Sequence, residues 1–309
     1  MANIKDSKRA SDKQSLTFFM QGIIKQKQRL GRTCTARNYQ STLRSFMRFR
    51  GGKDLALKDL NEEVVMAYEA WLMDNGVRRN TSSFYMRILR AVYNRAVKKK
   101  FVRQAFPFRG VYTGIDKTSK RAVPLSVIKS IKDIDLSHVP SQELARDMFL
   151  MSFYLRGMSF VDMAHLRKSD LHGGYIHYNR SKTRQHLQIK VEEKMMKIID
   201  KYKSHTEGSD YLLPILDSTQ KDGPRQYHNA ANRIAYHLKN LAKTIGLQGS
   251  LTLYVARHSW ATIARDNNIS IAIISEGLGH DSIATTQIYL GSILTAEVDN
   301  ANASIMQLL

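Results

Sequence analysis

Tyr254-Val-Ala-Arg257-His258-Ser259-Trp260-Ala261-Thr262, then Leu278-Gly279-His280, then Thr285-Thr-Gln-Ile-Tyr289: these three short runs decide how the chain is read. The first opens a helix expected to cover residues 257–267. Gly277 and Gly279 bracket Leu278 and predict a tight turn that presents His280. Tyr289 stands nine residues after that histidine. Singly, each residue has an ordinary reading, since a helical Arg or His is most often an ion-pair partner or solvated. One tyrosine among 14 is most often a plain aromatic. Order and spacing taken together are what the ordinary readings leave unexplained.

Upstream of these runs the pattern is mixed. Pro124 and Ser126 precede an expected helix, and residues 143–154 form another with a strongly apolar side. Tyr175-Ile-His-Tyr178 alternates, Arg180-Ser-Lys-Thr-Arg184 reads as a turn, and residues 185–191 alternate again with Leu187, Ile189 and Val191 on one face. That is a hairpin signature. Residues 192–205 and 230–245 read as helices.

The first hundred residues read as all helical. Helices are expected from Ser15 to about Arg29, from Thr35 to Gly51-Gly52, from an Asn61 cap to Asn75-Gly76, and from a Thr81 cap to about Lys100. The second sets Tyr39, Leu43, Phe46, Met47 and Phe49 inward against Arg37, Arg44 and Arg48; the fourth sets Tyr85, Ile88, Leu89, Val92, Tyr93 and Ala96 against Arg87, Arg90, Arg95 and Lys98. Pro107, Gly110 and Gly114 break periodicity afterwards. The expected organisation is a disordered tail over 1–14, a helical domain over 15–103, a linker over 104–122 and a second domain over 123–309 with a tail from 290. The fold class is mostly α with a small β-hairpin or sheet, α+β.

Charge supplies the first functional direction. The chain of 309 residues carries 48 Lys and Arg against 27 acids, a net of +21. Residues 1–120 hold 26 basic and 9 acidic residues, a net of +17, so the excess sits in the helical half. A domain so basic attracts a polyanion through counterion release, and two arginine-rich helices in one bundle point to duplex DNA. No long apolar run predicts a membrane span, the start is polar, and the one cysteine forms no internal disulfide. A cytoplasmic, nucleoid-associated protein with no membrane attachment is the expectation.

The three opening runs resemble the tyrosine recombinase (phage integrase) family. Its signature is His-x-x-Arg-His-[Ser/Thr], then Leu-Gly-His, then a tyrosine nine residues on. The resemblance spans nearly the whole chain, because the N-terminal bundle looks like the family's SAM-like core-binding domain. It implies that Tyr289 is the nucleophile, that Arg257 is the second arginine, that His280 hydrogen-bonds the scissile phosphate and that Lys182 at the hairpin turn is the family lysine. Those residue types fit the chemistry. A tyrosine hydroxyl with a reference pKa near 10 is a weak nucleophile unless its proton is accepted, and charge building on phosphate oxygens suits the permanently charged guanidinium fork. A lysine on a hairpin can protonate the leaving 5′ oxygen. The implied 3′-phosphotyrosine keeps the energy of the phosphodiester, so neither ATP nor any other cofactor or metal is implied.

Two positions depart from the family. Its first box reads Thr-Gly-Leu-Arg-x-Ser-Glu/Asp, whereas here Leu155-Arg156-Gly157-Met158-Ser159-Phe160-Val161-Asp162 puts Ser159 at the arginine's register. Arg156, three residues earlier, is expected to supply the guanidinium; the alternatives are a structural Arg156 paired with Asp162, or a guanidinium from Arg180 or Arg184 on the hairpin. Tyr254 stands where the family has histidine. It can donate a hydrogen bond to a phosphate oxygen but does not accept a proton near neutral pH. His258 is read as structural support.

The sparsely charged segment after Tyr289 implies, by the same resemblance, docking on a neighbouring protomer and a homotetramer on two DNA sites. The expected activity is site-specific integration, excision or inversion of DNA from a mobile element, by a clamp of two domains around duplex DNA, with a DNA-bending accessory protein as a further partner. The alternatives are a type IB-like topoisomerase and a catalytically weak DNA-binding accessory protein on the same scaffold.

Overall fold

The computed structural model describes residues 15–116, 122–290 and 306, without the side chains of Ile288 and Tyr289. The expected tail over 1–14 and the tail beyond Leu290, Met306 aside, lie outside the described residues. The chain divides into two compact units, residues 1–118 and 119–309.

The first unit is built from α1 (Leu16–Arg29), α2 (Thr33–Phe49), α3 (Glu62–Asp74) and α4 (Arg79–Lys98). Ser15 caps α1 by accepting from the Phe18 amide, and Asn61 caps α3 by accepting from Val64 at 3.0 Å. These side-chain oxygens occupy amides that a helix start leaves unpaired. α4 starts earlier than the Thr81 cap predicts. Its N-cap is Arg78, which makes no side-chain cap, and Thr81 lies inside the first turn. Leu16, Met20, Phe46, Tyr68, Leu72 and Leu89 are fully buried, and the Phe46 and Tyr68 rings meet edge to face at 5.1 Å. Residues 104–116, read as linker, are folded onto this bundle. Phe108 and Val111 join its core, Tyr112 donates its amide to Glu69, and the Asp116 amide donates to Asn80 at 2.8 Å.

The second unit is centred on α6 (Pro140–Tyr154), whose Met148, Phe149, Leu150 and Met151 are all buried. α5 (Leu125–Asp133), α8 (Glu193–Lys201), α9 (Gly223–Thr244) and α10 (Leu253–Asp266) pack around it. α9 starts seven residues before the apolar stripe predicts, because Asp222 caps it and Pro224 fills its first turn. α7 (Phe160–Ala164) is a short helix leading to the sheet. That sheet has three antiparallel strands in the order β1 (Leu171–His172), β2 (Tyr175–Asn179) and β3 (His186–Lys190). The hairpin pairs Ile176 with Ile189 and Tyr178 with Leu187; Ile176, Ile189 and Tyr178 pack into the core, and Leu187 is buried as well. β1 was not anticipated, since two residues carry too little alternation to be read.

α11 (Ile271–Leu278) and α12 (Ile283–Leu290) follow α10. They share a separate small core of Ala261, Ile274, Leu278 and Leu290, covered by Trp260, Ala264 and Ile271. α10 is the common wall, because Val255 and Ala256 belong to the main core.

Candidate active site

Everything converges on the guanidinium of Arg257. α10 is capped by Thr252, and one turn later Arg257 is 6 % exposed. A buried charge demands partners. Its Nη1 donates to the Gly157 carbonyl at 2.8 Å, and its Nη2 donates to the Leu278 carbonyl at 2.6 Å and lies 3.1 Å from His280 Nε2.

Gly157 has no room for any other residue. After α6, Arg156 and Gly157 both adopt positive φ, +57° and +73°. A Cβ on Gly157 would stand 2.6 Å from the Arg257 Cα. Backbone contact this close is what lets the Gly157 carbonyl reach the guanidinium.

Arg156 therefore sits in a left-handed conformation at the end of α6, with its Cδ beside Gly277 of α11. Gly277 is helical and packs under Trp260, so the turn presenting His280 belongs to Gly279 alone, whose φ is +62°. Ser159 caps α7, donating its hydroxyl to Asp162 Oδ2 at 2.6 Å. Asp162 Oδ1 accepts the Ser181 amide at 2.9 Å. Asp162 is thus tied to Ser159 and to the hairpin, and no ion pair with Arg156 is found among the described residues.

The hairpin turn follows from Ser181. Lys182 is exposed beside it, and Arg184 turns the chain at φ +65°. Arg180, a basic hairpin residue expected either on the DNA-facing surface or as the alternative guanidinium, is 7 % exposed and donates from Nη1 to the Gly279 carbonyl. Tyr178, two residues before it, was passed over as an ordinary strand residue. Burial and the Asp162 carboxylate push its hydroxyl up to about 12, opposed by Arg257, Arg180 and Arg156.

His280 is half-buried. Burial first, then Arg257, Arg180 and Lys182, push its imidazole down to about 4, so the ring is neutral at pH 7. Its Nδ1 lies 2.8 Å from Thr286 Oγ1, and Thr286 is fully buried in α12. Its position in Thr285-Thr-Gln-Ile-Tyr289 carries no sequence signal of a contact with His280. Tyr289 is the penultimate residue of α12, and its side chain is outside the described residues. The helix end is anchored by buried Leu290, whose carbonyl accepts from Arg265 Nη1 at 3.0 Å. Tyr254 is exposed in the first turn of α10, its ring edge-on to His258 at 4.5 Å.

The structure thus brings Arg257, His280, Arg156 and Arg180 together, with Lys182 at their rim and Tyr254 on the surface. The other basic candidates lie on the first unit. Arg37, Arg44 and Arg48 are exposed on α2; on α4, Arg90 and Lys98 are exposed while Arg87 and Arg95 are half-buried, Arg95 donating to Gln26 at 3.3 Å. Among the described residues no group of three or more His, Cys, Asp or Glu is arranged to hold a metal, and no helix is long and apolar enough to cross a membrane.

Comparison with known proteins gives the same outline. The profile described as "Phage integrase SAM-like domain" matches residues 15–110, and that described as "Phage integrase family" matches residues 126–293. The tyrosine recombinase XerA of Thermococcus kodakarensis is 25% identical over 263 residues, covering 82% of this chain and 83% of that protein. XerD of Pseudomonas aeruginosa is 19% identical over 265 residues, 82% of this chain and 85% of its own length. Among solved structures, a lambda integrase dimer bound to a core site superposes with a TM-score of 0.69 at 18% identity, covering 90% of this chain and 95% of that one. The integrase of the transposon Tn1549, in complex with a circular intermediate DNA, gives 0.66 at 16% identity, with 94% and 99% covered. A lambda integrase tetramer on a Holliday junction gives 0.66 at 17% identity, with 91% and 79% covered. With both halves matched in order, the chain belongs to the phage integrase family and is a site-specific tyrosine recombinase.

Proposed function

We propose that this recombinase breaks and rejoins DNA by attack of the Tyr289 hydroxyl on a backbone phosphorus, leaving a 3′-phosphotyrosine and a free 5′ oxygen. The observation that carries the reading is the buried Arg257 guanidinium, fixed by the carbonyls of Gly157 and Leu278 beside neutral His280. A preorganised cation stabilises charge building on the non-bridging oxygens without reorganising during reaction. Arg156 supplies the guanidinium of the family's first arginine in place of Ser159, whose hydroxyl is engaged with Asp162. Lys182 protonates the departing 5′ oxygen, and Tyr254 donates a hydrogen bond to the phosphate. Rejoining reverses the attack, so the phosphotyrosine's retained energy removes any need for ATP.

Residues 15–103 act as the core-binding domain and residues 123–309 as the catalytic domain. Arg37, Arg44, Arg48, Arg87, Arg90, Arg95 and Lys98, with Arg184 of the hairpin, contact duplex phosphates, which set orientation and carry little sequence information. The enzyme works in the cytoplasm, on the nucleoid, moving or inverting a mobile DNA segment. It does so as a tetramer on two sites, joined by the tail beyond Leu290 and aided by a DNA-bending accessory protein. The solved dimer and tetramer of lambda integrase on DNA support DNA binding as an oligomer.

Covalent capture tests the reading. Full-length protein is incubated with sheared DNA from the source genome, quenched in SDS, and the DNA that stays with the protein is sequenced. Recovery of discrete sites that vanish with Tyr289→Phe is expected. Adducts that persist in Tyr289→Phe would refute it, as would their absence from the wild type.

A further inference from the structure

We propose that Thr286 is a positioning residue that fixes His280 with its proton on Nδ1 and its lone pair on Nε2. The inference rests on the catalytic reading above and follows from donor and acceptor chemistry. A guanidinium has five N–H donors and no acceptor. His280 Nε2, 3.1 Å from Arg257 Nη2, must therefore accept from it, because a proton on Nε2 would set two donors against each other. The neutral ring then carries its single proton on Nδ1. Thr286 Oγ1, 2.8 Å from Nδ1, stands where it accepts that proton.

Three features make this contact a device rather than an incidental bond. Thr286 is fully buried, so no water substitutes for its oxygen without repacking. It lies on α12, three residues before Tyr289, so the imidazole's proton position is bound to the helix that carries the nucleophile. The tautomer also has a chemical consequence: a lone pair on Nε2 cannot donate to a phosphate oxygen. The resemblance assigns such a donation to His280; in this state the ring instead holds Arg257 Nη2, with Arg180 and Lys182 adding positive charge nearby. Thr286 therefore makes His280 an orienter of Arg257.

The second nitrogen of an imidazole commonly sets the state of the first in this way.

The test has two readouts, a spectrum of the DNA-free protein and cleavage of a DNA site captured as above. Full-length protein labelled with 15N-histidine is examined by long-range proton–nitrogen correlation at pH 7, with His280 assigned through His280→Gln. The wild type and Thr286→Ser are expected to show the Nδ1–H form. Thr286→Val, equal in shape but lacking the oxygen, is expected to lose it, and to cleave about tenfold more slowly, the size of one ordinary hydrogen bond. Restored cleavage in Thr286→Ser separates positioning from packing. A wild-type His280 protonated on Nε2 would overturn the proposal whether or not any variant folds. So would a Thr286→Val spectrum or cleavage rate unchanged from wild type. Failure of the catalytic reading is separate: it appears as adducts that survive Tyr289→Phe, and leaves the tautomer untouched.

Discussion

Substitution of Gly157 by alanine tests the architecture of the site most directly. The residue sits at φ +73°, and a Cβ there would lie 2.6, 2.7 and 2.8 Å from the Arg257 Cα, Cγ and Cβ. Two penalties combine. The left-handed conformation disfavours any Cβ by about 1–2 kcal/mol. Forcing a methyl group against backbone in a packed core adds about 1–3 kcal/mol. Gly246 provides the control, since it has φ +66° in the same unit and nothing within 4 Å of its would-be Cβ. Gly246→Ala carries the first penalty alone. The difference between the variants, about 1–3 kcal/mol, is the contact with Arg257, and for a unit of this size corresponds to roughly 2–4 °C in Tm per kcal/mol. Gly157→Ala also moves the carbonyl that holds Nη1, so cleavage of a captured DNA site should fall by about a hundredfold while Gly246→Ala cleaves normally. Equal melting temperatures for the two variants, with Gly157→Ala fully active, would refute the reasoning.

Other outcomes follow from the same geometry. Arg156→Ala should lower the cleavage rate by about 10²–10³, the usual loss for one group that stabilises transition-state charge. Ser159→Ala should instead remove a helix cap, about 1 kcal/mol in a thermal melt, with cleavage retained; the opposite ranking would move the role to Ser159. His280 is neutral in the fold and titrates at about 4, below the reference 6.5, so the unfolded chain binds more protons between those values. Its contribution to stability is complete above pH 6.5 and is lost as pH falls toward 4, and urea melts of His280→Gln should show a shallower decline across that window. On DNA, the double change Arg44→Ala with Arg48→Ala should reduce the slope of log affinity against log salt by about 2, one per phosphate contact. An unchanged slope would exclude these exposed arginines from the interface.

Arg257, His280 and the order of the three runs were legible because the family spacing is carried by residues close in sequence. The helical bundle was legible because apolar stripes repeat at helical period in α1 to α4. What escaped depends on contacts between distant segments. Arg180 reads as one more basic hairpin residue, and only pairing Tyr178 with Leu187 reveals that Ile176, Tyr178 and Arg180 face inward. An alternation count extended by two residues would have raised it. Ser159 was judged only against the arginine it replaces, although Ser-x-x-Asp is a cap signal in its own right. The left-handed Arg156 had no signal, because glycine is the residue that advertises positive φ and here it comes one position later. Thr286 was beyond reach for another reason: its distance from His280 is set by how the Gly279 turn folds α12 back, not by the six residues between them.

The separate small core shared by α10, α11 and α12 divides labour within the enzyme. Four buried side chains hold the helix that carries Tyr289, whereas the Arg257 helix is also rooted in a core of some thirty. Amides of α12 are thus expected to exchange with solvent through a shallower excursion than those of the main core. Detaching α12 would take the Thr286 hydroxyl from His280 while the Gly157 and Leu278 carbonyls keep their hold on Arg257.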